Sequence, residues 1–212
     1  MVNEKLTKYI EEHTTPESEL LYKLDRETHL KTFYPRMLSG NTQGKFLEMI
    51  SCMIRPEAIL EIGTFTGYSA ICLSRGLTET GVLHTIEINP EIQNISEKYI
   101  KMTDYSQKIK RYIGNALEVI PTIDETFDLV FIDADKENYL SYYKLVYDKV
   151  CPGGFILADN ALWGGKVIQE INNSDKETRG ILEFNDFIQN DNRVENVLVS
   201  LRDGIMMIRK KE

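Results

Sequence analysis

Apolar residues recur at two different spacings along this chain of 212 residues, and the change of spacing falls near Pro56. From about Asn3 to Ile54 the period is helical. Leu20, Leu21 and Leu24 share one helical face, and Phe46, Leu47, Ile50 and Ile54 share another further on. The earlier of these helices is expected to start at Pro16. Thr15 would be its N-cap, with proline at the first helical position and Glu17 and Glu19 beside the positive end of the helix dipole. A break is expected at Tyr34-Pro35 and Ser39-Gly40-Asn41.

After Pro56 short β-branched and aromatic runs alternate with longer amphipathic ones. The pattern predicts strands at Ala58–Ile62, Val82–Ile88, Ile109–Ile113, Phe127–Ile132 and Phe155–Ala158. Helices are predicted between them near Tyr68–Gly76, Pro90–Met102, Ala116–Ile120 and Tyr139–Val150. Such alternation implies an α/β fold with a doubly wound, mostly parallel sheet covered on both faces. The end differs: Val194–Leu201 and Ile205–Arg209 flank Arg202-Asp203-Gly204, an Asp-Gly turn that predicts an antiparallel hairpin. No linker or repeat interrupts the chain. Residues 1–212 therefore read as one domain, with a helical extension at 1–55 and an α/β core at 56–212.

A formal net charge of −8 and a pI near 5.1 argue against a general nucleic-acid binder, which needs a basic stripe. Arg209–Lys211 reads as a solvated tail, and Lys108, Lys110 and Arg111 as the exposed face of a strand. Cys52, Cys72 and Cys151 show no CxxC spacing and are expected to be reduced, buried thiols. No secretory signal opens the sequence, and no run approaches the roughly 18–20 apolar residues of a membrane span. A soluble, cytoplasmic protein is the expectation.

Candidate chemistry collects at the predicted strand ends, where such sheets bind ligands. Asp133 ends one strand and Asp159-Asn160 another, and residues 134–158 are enough for a helical crossover between parallel neighbours. Two carboxylates and an amide oxygen form a hard donor set suited to Mg²⁺ or a similar ion; equally, Asp and Asn end strands because they suit turns. Gly63-Thr64-Phe65-Thr66-Gly67 follows the first strand and is either a ligand-approach loop or a tight structural turn. It is not the dinucleotide fingerprint, since Phe65 stands where a glycine is required. Glu87, about 20 residues beyond, either accepts from ribose hydroxyls or favours the helix that starts after Pro90. Asn115-Ala116 leaves room for a flat base or is a helix cap. Lys136 is either a surface lysine or a base on the Asp133 loop, and Trp163 either core or the wall of a cleft. No serine lies in a nucleophile elbow.

Read together, LEIGTFTGYSA (Leu60–Ala70), FIDADKENY (Phe131–Tyr139) and ADNALWGGK (Ala158–Lys166), preceded by MLSGNTQGKFL (Met37–Leu47), resemble the class I S-adenosylmethionine-dependent, cation-dependent O-methyltransferases, the family of the caffeoyl-CoA and catechol enzymes. That resemblance implies a Rossmann-like methyltransferase fold. It also implies methyl transfer from S-adenosylmethionine to a hydroxyl of a small catechol-like or caffeoyl-type phenol, giving S-adenosylhomocysteine. Ser39, Glu61, Gly63, Thr64 and Ser69 would line the methionine end of the cofactor, Glu87 its ribose and Ala116 its adenine, with Asp133 also facing it. Asp133, Asp159 and Asn160 would ligate Mg²⁺, with Mn²⁺ or Ca²⁺ as alternatives, and Lys136 would act with Asp133 in catalysis. Trp163 and Gly164 would face the acceptor, although the plant caffeoyl-CoA enzymes carry Asn where Gly164 stands, and residues 1–35 do not match the plant pattern. A homodimer, with neither nucleic acid nor membrane as partner, is the family expectation. A NAD-dependent oxidoreductase, an RNA-directed methyltransferase and a non-catalytic cofactor-binding module are the competing readings.

Overall fold

The computed structural model describes residues 4–170 and 175–212. One sheet contains β1 (Ala58–Ile62), β2 (Val82–Glu87), β3 (Ile109–Ile113), β4 (Phe127–Ile132), β5 (Val150–Ala158), β6 (Val194–Val199) and β7 (Ile205–Lys210). Their order is β3-β2-β1-β4-β5-β7-β6. The pairs from β3 to β5 are parallel, and β7 runs antiparallel to both β5 and β6. The doubly wound sheet with a terminal hairpin is as expected, and the winding reverses between β1 and β4.

Alternation along each strand decides what covers each face. Leu60, Ile62, Val130 and Ile132 pack with Tyr139, Tyr143 and Val146 of α7 (Tyr139–Tyr147) and with Ile181, Phe184 and Ile188 of α8 (Lys176–Asn190). Ile59, Leu129 and Phe131 point the other way. They meet Leu21 and Leu24 of α2 (Glu19–Lys31), Leu47 of α3 (Gly40–Ile54), Ile71 of α4 (Tyr68–Ser74) and Ile100 of α5 (Gln93–Lys101). All five β1 residues are buried because both faces are covered. Each buried Leu, Ile or Phe contributes about 1.5–3 kcal/mol of apolar transfer. Short helices α1 (Glu4–Glu12) and α6 (Ala116–Val119) complete the described α-helices, and none of the described helices is long and apolar enough to cross a membrane.

Several expectations are corrected. Helix α2 starts at Glu19, capped by Ser18, whose Oγ accepts from Leu21 N–H. The Pro16 segment stays outside the helix, and Glu17 there accepts a 2.6 Å hydrogen bond from Tyr68 Oη. Strand β5 begins at Val150, five residues before its predicted start, and α7 ends correspondingly early. Arg209 and Lys210 belong to β7: Arg209 pairs with Glu195, and Lys210 Nζ donates to the Tyr147 and Val150 carbonyls. Only Cys72 is buried; Cys52 is exposed and Cys151 partly so. Helix α8 has no counterpart in the sequence reading.

Candidate active site at the strand ends

The parallel ladder runs one residue past each strand and so sets the site's level. Asp133 N–H donates to the Ile62 carbonyl and Asp159 N–H to the Ile132 carbonyl, both at 2.9 Å. The two aspartates therefore leave neighbouring strands side by side. They border a cavity of about 860 Å³, which is also lined by Ser39, Gly63, Thr64, Ser69, Glu87, Ala116, Lys136, Asn160 and Trp163. Thus most of the predicted site residues meet in one place. Gly164 does not reach the cavity; its N–H donates to Asp203 at 2.5 Å. Glu61 lies beneath the floor, fully buried.

Burial dominates the electrostatics here. Desolvation pushes the Glu61 carboxyl up to about 8, against the lowering influence of the Ser69 and Thr85 hydroxyls. Its Oε2 accepts from Thr85 at 2.5 Å, while its Oε1 is buried with no hydrogen-bond partner. A buried carboxyl oxygen without a partner leaves a hydrogen-bonding position for a polar group at that end of the cavity. Glu87 accepts from Phe65 N–H at 2.7 Å and from Asn89 N–H at 2.8 Å. Those bonds hold Phe65 in its left-handed turn (φ 47°) and leave each oxygen capacity for a ligand hydroxyl. Gly63 also serves the structural alternative, a tight turn at φ 104°. A Cβ there would stand 1.9 Å from the Asp133 carbonyl oxygen, so the glycine admits the neighbouring backbone, whatever else it admits.

Lys136 is no surface lysine. It is 7% exposed, and its Nζ donates to Asp133 Oδ1 at 3.1 Å and to Tyr139 Oη at 2.7 Å. The ammonium also lies 5.9 Å from the centre of the Trp163 ring, so an aromatic wall and a cationic group face the same space. Asp159 is buried, and desolvation, followed by the charge of Asp133, raises its carboxyl above the usual carboxylate range. Two neighbouring carboxyls bordering one cavity, only one of them paired with a lysine, suit a hard cation between them. Among the described residues no three His, Cys, Asp or Glu side chains gather to hold a metal. A cation here would draw its third protein oxygen from the Asn160 amide, whose Nδ2 is turned toward Asp203 at 3.4 Å. On that test the donor set fits Mg²⁺ or an ion of similar hardness.

Sequence reasoning missed Gln43, Arg202, Tyr139 and α8. Gln43 Nε2 donates to Asp159 Oδ2 at 2.7 Å, across 116 residues of chain. Gly180 of α8 lies against the Lys136 loop so tightly that a Cβ would come within 2.4 Å of the Lys136 carbonyl oxygen. A possible signal for α8 was the spacing of Ile181, Phe184 and Ile188, which fits one helical face.

Residues 11–211 match the family model described as O-methyltransferase. Caffeoyl-CoA O-methyltransferase 5 of Nicotiana tabacum is 32% identical over 199 residues, covering 87% of this chain and 82% of the relative. Catechol O-methyltransferase of Niastella koreensis is 31% identical over 171 residues, 79% of this chain and 77% of that one. Among solved structures, an O-methyltransferase from Bacillus cereus in complex with SAH aligns with a TM-score of 0.89 at 30% identity, covering 96% of both chains.

Proposed function

This chain belongs to the O-methyltransferase family, and from that premise we propose that it transfers a methyl group from S-adenosylmethionine to a hydroxyl of a small catechol-like or caffeoyl-type phenol, with a divalent cation bound beside the acceptor. The observation that carries the reading is the meeting of Asp133, Asp159, Asn160 and the buried Lys136 on one side of a cavity that Glu87 borders on the other. When bound, the cofactor supplies an electrophilic methyl on a sulfonium, and the cation supplies a Lewis acid that lowers the pKa of a hydroxyl it contacts.

The protein's own side chains do the remainder. Asp133, Asp159 and Asn160 hold the cation. Glu87 accepts from the ribose hydroxyls, the Glu61–Thr85–Ser69 group underlies the methionine end with Gly63, Thr64 and Ser39 around it, and Ala116 leaves room for the adenine. In its neutral amine form Lys136 Nζ would take the proton that the acceptor hydroxyl gives up, becoming the ammonium, with Asp133 and Tyr139 fixing where that nitrogen sits. Trp163 gives the aromatic ring a flat wall, and holding both reactants at contact distance supplies much of the acceleration. Exposed Leu6, Tyr9 and Ile10 of α1 and Leu30 of α2 leave apolar surface on the N-terminal helices that supports a homodimer as the working assembly.

The test uses a catechol-type acceptor. Lys136→Ala should lower kcat on the order of 10²- to 10⁴-fold, with S-adenosylhomocysteine affinity, measured by calorimetry, unchanged. Asp133→Ala should abolish stimulation by Mg²⁺. Wild-type turnover in either variant removes that residue's role.

A further inference from the structure

The turn between β6 and β7 reaches back over the site from the far edge of the sheet. Arg202 occupies a left-handed conformation there (φ 49°) and borders the cavity. Its Nη1 donates to the Leu38 carbonyl at 3.1 Å, to the Ser39 carbonyl, and to Gln43 Oε1 at 3.1 Å. Because a guanidinium only donates, it fixes which end of the Gln43 amide faces it. The Gln43 amino group must then point the other way, and it does, donating to Asp159 Oδ2 at 2.7 Å.

The next residue holds the other donor. Asp203 Oδ2 accepts from Asn160 Nδ2 at 3.4 Å, which turns the Asn160 oxygen away from it, and Asp203 Oδ1 accepts from Gly164 N–H. Backbone bonds continue the seam: Leu162 N–H donates to the Asp203 carbonyl at 2.9 Å and Ala161 N–H to the Gly204 carbonyl at 3.0 Å. The loop so gripped carries two non-glycine residues at positive φ, Asn160 (57°) and Trp163 (45°), a conformation that needs support from outside.

We propose that the Arg202–Asp203 turn is the positioning element of the site: Arg202 aims Asp159 through Gln43 and anchors the Leu38–Ser39 backbone at the cofactor end, while Asp203 orients the Asn160 amide. Arg202 therefore ties the cofactor end to the cation end through one side chain. This rests on the cation reading given above. Partners of this kind, one step removed from a metal, are typically worth about 10- to 100-fold in metal affinity.

Calorimetric titration of Mn²⁺ and, separately, of S-adenosylhomocysteine into the full chain distinguishes the outcomes. Arg202→Met should weaken Mn²⁺ binding by about 10- to 100-fold and also weaken S-adenosylhomocysteine, because both of its attachments are lost. Gln43→Leu should weaken Mn²⁺ alone, a split that general loosening of the fold would not produce. If Arg202→Met does not fold, Gln43→Leu and Asp203→Ala carry the test. Mn²⁺ affinity equal to wild type in all the folded variants overturns the inference and leaves the cation reading standing. Wild-type protein that takes up S-adenosylhomocysteine but no Mn²⁺ overturns the cation reading, and this inference with it.

Discussion

Glu61 is a carboxyl held where its charge is unwelcome, and that has a signature in stability. Its folded pKa of about 8 lies above the ordinary 4.5, so the folded state binds the proton more tightly than the unfolded one. The contribution of the neutral form is fully present below pH 4.5 and is lost as pH rises to about 8. Denaturant titrations of ligand-free Glu61→Gln should show the variant gaining on wild type steadily across that window, and a constant gap would refute the assignment. At this scale the chain was legible where chemistry coincides with strand ends. Asp133, Asp159, Asn160 and Lys136 could be picked out because the strands before them are plain in the apolar pattern. Gln43 and Arg202 could not. Each acts through hydrogen bonds to residues more than a hundred positions away, and nothing adjacent in sequence records that.

Helix α8 shows how an element can be missed and still shape the site. Its glycine at 180 costs about 1 kcal/mol of helix propensity relative to alanine, and its first turn is charged, both of which weaken the sequence signal. The glycine's use lies outside the helix: it lets α8 approach the Lys136–Asn138 turn. Gly180→Ala should therefore strengthen the helix in isolation yet displace the Lys136 backbone. Steady-state kinetics should report a fall in kcat larger than any change in S-adenosylhomocysteine affinity, whereas a variant with wild-type kcat would show that the close packing is immaterial. The misplaced start of α2 also has its cause outside the helix. Thr15-Pro16 carries the marks of a helix start, but Glu17 outside the helix is bonded to Tyr68, and Ser18 serves as cap instead. The sheet itself was readable because β-branched runs and turn residues alternate without ambiguity from β1 to β4.

Across the whole molecule, the cavity sits where the winding of the sheet reverses, and its chemistry favours one cofactor class. Phe65 replaces the glycine a dinucleotide loop needs, and its backbone is tied to Glu87. The thermal denaturation midpoint should rise with S-adenosylhomocysteine, a gain of about 2.7 kcal/mol at a hundred times Kd, and be insensitive to NAD at the same concentration. Equal shifts would return the oxidoreductase reading. The sheet order carries a different consequence. Strand β7, after β6 in the chain, lies inside the sheet with β5 on one side and β6 on the other. A premature stop codon before Ile205 would leave two bare edges ready to pair with any neighbouring polypeptide. Truncated products should therefore be insoluble instead of feebly active, so for this gene the penalty of incomplete translation is aggregation.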